Sequence, residues 1–350
     1  MTETKALQSD ALVLQQMKFG KIKILISIIV MIALAFSALL IGRYTLAPVE
    51  TLKILFSPIF NIQGEWSEMT QNVVFRVRLP RICAAILVGG GLALAGTTYQ
   101  GIFRNPLVSP DLLGISAGAC VGAASAILMN MDNTGIQILA LSGGLVAVFC
   151  SMLIPRMFKN ESTLMLVLSG VIVSGFMNAI IGILKYIADT ETQLPEIVYW
   201  QMGSLAATKP EQVLAVLPAM LISITILILM RWRVNILSLG DTEAATLGIN
   251  LQITRTIFII AATLLTGCAV CLSGIVGWVG LIIPHLTRLV VGQDNILTIP
   301  LSFFVGGSFM LIVDTLARTL IASEIPLSIL TGIVGAPLFV WLLVKTKTRL

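Results

Sequence analysis

The sequence predicts an all-α polytopic membrane protein with ten transmembrane helices. Three observations carry that prediction. Of the 350 residues, 57% are hydrophobic and only 11% charged, whereas a soluble domain carries about a quarter charged residues. The apolar residues gather into uncharged runs of the length that crosses a bilayer core, about 20 residues rising ~1.5 Å each. Lysines and arginines stand at the ends of those runs and both chain ends are basic. Both termini are therefore expected in the cytoplasm, with an even number of spans.

The first 20 residues are polar, with Lys5 and Lys18, and Lys21 and Lys23 follow them. Residues 1–23 read as a cytoplasmic N-terminus. The run Ile24–Ile41 is longer than a signal-peptide core and has no convincing cleavage site after it, so it reads as an uncleaved first span. Next come Ile82–Phe103, Leu112–Met131, Asn133–Pro155, Ser162–Leu184 and Gln212–Met230. Thr256–Thr287 is too long for one span. Gly274, Gly277 and Gly280 divide it into a full span to about Ser273 and a shorter one from Trp278 to Val291. Asn295–Val313 and Ile325–Val344 complete the ten, in a single transmembrane domain over residues 1–350.

This topology puts 14 of the 22 Lys and Arg inside and 8 outside. The outside set is Arg43, Lys53, Arg76, Arg78, Arg81, Lys185, Lys209 and Arg318, and the misfits cluster at Arg76, Arg78 and Arg81. Outside lies the segment Tyr44–Arg81, with Pro48, Pro58 and Trp66. A second outer segment, Lys185–Glu211, is apolar enough between Pro195 and Pro210 to form a short interfacial helix.

Small residues recur at four-residue spacing, as in Ala85 and Gly89, Gly91 and Ala95, and Gly114, Gly118 and Gly122. Such faces let helix backbones approach closely. At an offset of 178, Gly89, Leu94, Gly96, Pro106 and Gly114 match Gly267, Leu272, Gly274, Pro284 and Gly292. A displacement of five spans would relate spans 2–5 and 7–10 as an inverted repeat.

The one long polar interruption in the second half is Arg231–Asn250, within a cytoplasmic segment 231–252. Asp241 or Thr242 is placed to cap a short helix, with Glu243 in its first turn. Ala244 and Ala245 continue it and Gly248 is a natural stop. About six helical residues are too few to stand alone in water, so the segment reads as a knob that something outside the chain holds.

Several chemistries are disfavoured. No GxxxxGKS or GxxxxGKT loop occurs, so the chain by itself has no phosphate cradle for ATP. The bases form no single patch, which argues against nucleic acid. The five cysteines lie inside apolar stretches, and Cys268 and Cys271, although spaced CxxC, lack a second pair. They read as packing, and no metal site, catalytic residue or bound cofactor is expected. The lone His285 reads as a structural hydrogen-bonding group. An ion-driven carrier usually keeps a mid-membrane carboxylate. The one clear candidate, Asp314, sits toward the outer end of its helix, with Arg318 four residues on as a local ion partner.

Arg78 and Arg81 at the outer mouth admit two readings, interfacial snorkelling or a positive surface for an acidic extracellular partner. On the inner side, Phe103–Leu107 makes a tight turn, and Ser109-Pro110-Asp111 and Glu161-Ser162-Thr163 carry helix-start signatures. These are plain caps or parts of a narrow gate.

The stretch RLPRICAAILVGGGLALAGTTYQGIFRNPLVSPDLLGISAGA (Arg78–Ala119) resembles the signature of the FecCD-type permeases. YWQMGSLA (Tyr199–Ala206), LGDTEAATLGI (Leu239–Ile249), GIVGWVGLIIPHLTRLVVG (Gly274–Gly292), DTLAR (Asp314–Arg318) and EIPLSILTGIVGAPLFVWLL (Glu324–Leu343) follow in the family's order. The resemblance spans nearly the whole chain. It implies the membrane subunit of an ATP-driven ABC importer in a prokaryotic cell (inner) membrane, with a ferric siderophore as cargo or, alternatively, haem or cobalamin.

The implied partners are a second permease subunit, as homodimer or close heterodimer, two ATP-binding subunits that hydrolyse the ATP, and an extracytoplasmic substrate-binding protein. By position, Arg78, Arg81 and Arg318 would receive acidic residues of the binding protein. Leu239, Gly240, Asp241, Glu243, Ala244, Leu247 and Gly248 would fit the ATPase. Asn105, Leu107, Ser162 and Thr163 would stand at the cytoplasmic constriction. The path would run along the fifth and tenth spans, with the short helix around Trp200 near its outer gate. Arg76 has no assigned role.

Overall fold

In the computed structural model every regular element among the described residues is helical. The structure describes residues 2–42, 44, 46–60, 62, 64, 66–159 and 162–347, with side chains from residue 18 onward except at 343, 346 and 347. Arg43, Arg349 and the expected helix start at Glu161 lie outside the described residues.

The first apolar run lies on α1 (Thr2–Leu40). Two short helices follow, α2 (Pro48–Phe60) and α3 (Glu68–Asn72), and a wide π-helical turn, Val73–Arg78, runs into α4 (Leu79–Ile102). The segment 44–81, to which the sequence reading assigns no element, is thus largely helical among its described residues. Ile54 on α2 and Val74 on the turn are fully buried and hold it down.

Then come α5 (Ile115–Leu128), α6 (Asn133–Met157), α7 (Thr163–Ile187), α8 (Gln193–Met202) and α9 (Pro210–Leu229). The polar interruption forms α10 (Arg231–Leu239) and α11 (Asp241–Thr246). The chain closes with α12 (Leu251–Ser273), α13 (Val279–Val291), α14 (Asn295–Thr319) and α15 (Leu327–Lys347). Local chemistry sets several starts. Asp132, Ser162, Asn250 and Asp294 each accept a backbone N–H of the first turn of the helix they precede, satisfying donors that have no partner within the helix.

Seven of the described helical stretches are long and apolar enough to cross a membrane, by length and composition, and Ile115–Leu128, Val279–Val291 and Leu327–Leu342 are shorter apolar helices. The chain is an integral membrane protein. Its two most enclosed spans are α4 and α12, with 83% and 78% of their apolar windows buried, whereas α1 at 11% is peripheral. Close approach needs glycine here. A Cβ on Gly96 of α4 would stand 1.9 Å from the Gly280 carbonyl oxygen of α13, and one on Gly89 would stand 2.3 Å from that of Gly306 on α14.

Two expectations change. Ser109–Asp111 does not open a helix. Gly114, at φ +79°, caps α5, and the Asp111 carboxylate accepts from Ser116 N–H at 2.8 Å. The left-handed turn delays the helix and leaves it short. The offset of 178 also pairs unlike structures, since Pro106 lies in a turn and Pro284 inside α13. The recurrence is plainer in element lengths. Helices α4 to α7 have 24, 14, 25 and 25 residues, and α12 to α15 have 23, 13, 25 and 21. In keeping with it, α4 packs on α14 and α12 on α6.

Candidate functional site

The bundle has two polar ends. One carries α2, α3, α8 and the loop before α15. The other carries α10 and α11.

At the α8 end, Arg78, Arg81 and Arg318 come together, but they turn inward. Arg78 donates from Nη1 to the Leu39 carbonyl at 2.5 Å and the Leu40 carbonyl at 3.3 Å, and from Nη2 to the Tyr44 carbonyl. Arg318 donates to the carbonyls of Ala38 at 2.5 Å and Ile41 at 2.6 Å. Ala38, Leu39 and Leu40 carry the last carbonyls of α1, which lack donors of their own, and Ile41 and Tyr44 lie just beyond its end. Arg81 uses its whole fork on carboxylates. Its Nε meets both oxygens of Asp314 at 2.9 and 3.1 Å, and Nη1 and Nη2 meet the two oxygens of Glu324 at 2.8 and 2.9 Å.

The Arg81 and Asp314 side chains are only 8% and 3% exposed, Glu324 27%. The local Asp314–Arg318 pair expected from spacing is present but long, at 3.7 Å. Arg78 and Arg81 thus form a closed network in this structure rather than an open positive surface, because buried charges and helix-end carbonyls demand partners. Arg76, one turn away, is exposed.

At the opposite end α10 is clamped to the bundle by Val234 and Leu237, both fully buried. Gly240, at φ +141°, turns the chain into α11. Asp241 is not the cap predicted for it. It is the first helical residue, and its carboxylate takes Arg255 at 2.6 and 3.2 Å and Arg104 at 3.0 Å. Hydrogen bonding and charge from Arg255 hold its carboxyl below the usual carboxylate range. Ala244 is fully buried beneath the helix. The short helix is thus held from within the chain, by α10, two arginines and one buried alanine. Leu239, Thr242, Glu243, Leu247 and Gly248 face outward, and Gly248, at φ +78°, ends the turn as its type predicts.

Asn105 Oδ1 accepts from Leu107 N–H at 2.9 Å, making a tight polar turn that leaves Leu107 exposed. The preceding Arg104 is left-handed, at φ 52°. His285 on α13 secures this turn. Its Nε2 lies 2.9 Å from the Pro106 carbonyl, to which it donates, and its ring meets the Phe339 ring of α15 edge-on. Ser162 caps α7 and Thr163 is its first residue. A cavity of about 620 Å³ opens beside the turn, between Gln100, Arg104, Asn105, His285, Arg288 and Asn295. Cys268 and Cys271 are buried free thiols. Sequence reasoning missed Glu324, Arg104 and Arg255 as partners, since no local spacing joins them to Arg81 or Asp241.

An inward-turned charge network at one end, an exposed short helix at the other and long apolar helices between them suit a transporter subunit. The profile of the FecCD transport family matches residues 28–345. The chain belongs to that family. FecCD proteins are permeases of ABC transporters, and this chain is such a membrane subunit. The molybdate import system permease of Haemophilus influenzae is 42% identical over 307 residues, covering 88% of this chain and 90% of that one. A Helicobacter pylori permease named for iron chelatin transport is 37% identical, covering 81% and 90%. A solved structure described as an inward-facing metal-chelate type ABC transporter superposes with a TM-score of 0.83 at 39% identity, covering 92% of this chain and 98% of that one.

Proposed function

We propose that the chain crosses the membrane ten times, counting α5, α13 and α15 as spans, with α8 outside and α11 in the cytoplasm. The two sets of four helices then form an inverted repeat within one permease domain. Two permease halves rock between outward and inward access, while separate ATPase subunits hydrolyse ATP against α11 and a binding protein delivers cargo at the α8 end. Asn105, Leu107, Ser162 and Thr163 stand at the inner constriction in this reading. A short α11 packed on Ala244, with Leu239, Glu243 and Leu247 exposed on and beside it, is the observation that carries it.

In the assembled transporter, Leu247→Glu should abolish the stimulation of ATP hydrolysis by cargo-loaded binding protein while leaving the permease folded and paired. Normal stimulation in that variant would defeat the coupling role.

For cargo, the iron-chelate relative supports a ferric siderophore. The molybdate relative favours a second reading, a metal oxyanion. ATP-driven uptake of labelled ferric siderophore and labelled molybdate into vesicles separates the two. Uptake that survives without ATP but collapses with an uncoupler would instead reveal an ion-driven carrier.

A further inference from the structure

The outer charge network answers a question that the docking reading leaves open, namely how buried arginines could meet a partner. Arg81 there holds two carboxylates of unlike burial, one on each side of its guanidinium. Its Nε side is locked on Asp314, which is almost wholly enclosed, and its Nη side is bidentate on Glu324, which is partly exposed. A bidentate carboxylate on a guanidinium fork is the geometry with which a partner's acidic side chain would bind. We infer that Glu324 is an internal stand-in for such a side chain, and that docking of an acidic partner at the α8 end exchanges one carboxylate for the other on Arg81. The inference rests on the proposed docking at this end and adds how that docking is felt inside.

Glu324 is well placed to transmit the exchange. It lies in the loop before α15, where Ile325 N–H bonds the Ala317 carbonyl at 3.1 Å and Leu327 N–H bonds the Gly203 carbonyl at 2.9 Å. Gly203 ends α8, and Ser204 N–H in turn bonds the Ser273 carbonyl at the end of α12 at 2.8 Å. Releasing Glu324 removes one side-chain tie on the loop that joins α14 to α15 and touches the end of α8, leaving its backbone bonds to Ala317 and Gly203. Asp314 remains on Arg81 throughout, so the buried half of the pair never loses its partner, and the cost of stranding a buried charge is avoided.

The test uses the full transporter in nanodiscs, with its purified extracytoplasmic binding protein as probe. Glu324→Gln removes the internal competitor and should tighten docking about tenfold, ~1.4 kcal/mol. Glu324→Asp, which keeps the charge, should stay near wild type. A spin label at the exposed Ser323, on a background without other accessible thiols, should gain mobility on docking, and in Glu324→Gln should be mobile beforehand. Docking by Glu324→Gln at or below wild-type affinity, or a label indifferent to docking, would overturn the exchange. Wild-type docking that is absent or insensitive to salt would instead defeat the electrostatic docking reading itself.

Discussion

The two ends of the bundle use the same chemical parts, one aspartate between two cationic side chains, in opposite settings. Asp314 is 3% exposed between Arg81 at 8% and Arg318 at 11%, whereas Asp241 is 46% exposed between Arg104 at 41% and Arg255 at 18%. Burial decides what each cluster is worth. Water screens the exposed pairs and competes for them, so they contribute little. The enclosed cluster contributes little net energy either, but removing one partner strands a charge. One end is therefore a brittle joint and the other a mount that solvent loosens.

The most damaging way to break this comparison is at Asp314. Asp314→Asn leaves Arg81 and Arg318 with fewer acceptors and should destabilise the chain by ~3–5 kcal/mol. The measurement is thermal unfolding of the purified permease in detergent, with loss of a monodisperse species as the coarse readout. A variant as stable as wild type would mean that the outer cluster is wetter than its burial indicates. An uncharged yardstick lies on the same helix as Arg81. Gly96→Ala places a methyl 1.9 Å from the Gly280 carbonyl oxygen, and overpacking of this kind costs ~1–3 kcal/mol. It should therefore rank below Asp314→Asn in the same assay.

These contrasts also mark what could be read from sequence. The span at α1 and the division near Gly274 follow from uncharged length and from glycine, and the structure breaks α12 from α13 between Ser273 and Val279. The α11 helix was legible because a six-residue element shows both its ends, Asp241 and Gly248. The start of α5 is not legible because Ser109-Pro110-Asp111 imitates a start signal, while the deciding feature is the positive φ of Gly114, at a site where a Cβ would stand 2.7 Å from Ser174 Oγ on α7. The direction of Arg81 had no signal at all. Its partners lie 233 and 243 residues away, and positive charge on the outer side reads the same whether it meets solvent or a buried carboxylate.

A finer test compares the two arginines on Asp241. Arg255 is the more enclosed and makes two contacts, and Arg104 makes one and is more exposed. Arg255→Gln should cost ~1 kcal/mol, near the upper end for a partly exposed pair, and Arg104→Gln less than ~0.5 kcal/mol. Equal losses would show that solvent does not grade this cluster.

The last test is the pH dependence of the same mount. In the folded chain the Asp241 carboxyl is held below its ordinary value, chiefly by the hydrogen bonds from Arg255. A carboxyl depressed on folding stabilises the folded state above its unfolded pKa of ~3.9, and that contribution is lost as pH falls through the depressed folded value. Because the group is nearly half exposed, the contribution should stay below ~1 kcal/mol. Unfolding curves for wild type and Asp241→Asn should thus differ slightly at neutral pH and converge in acid. Curves that stay parallel down to the acid limit would mean that the arginines hold α11 without help from the carboxylate's charge. The mount would then be a matter of Ala244 and α10 packing alone.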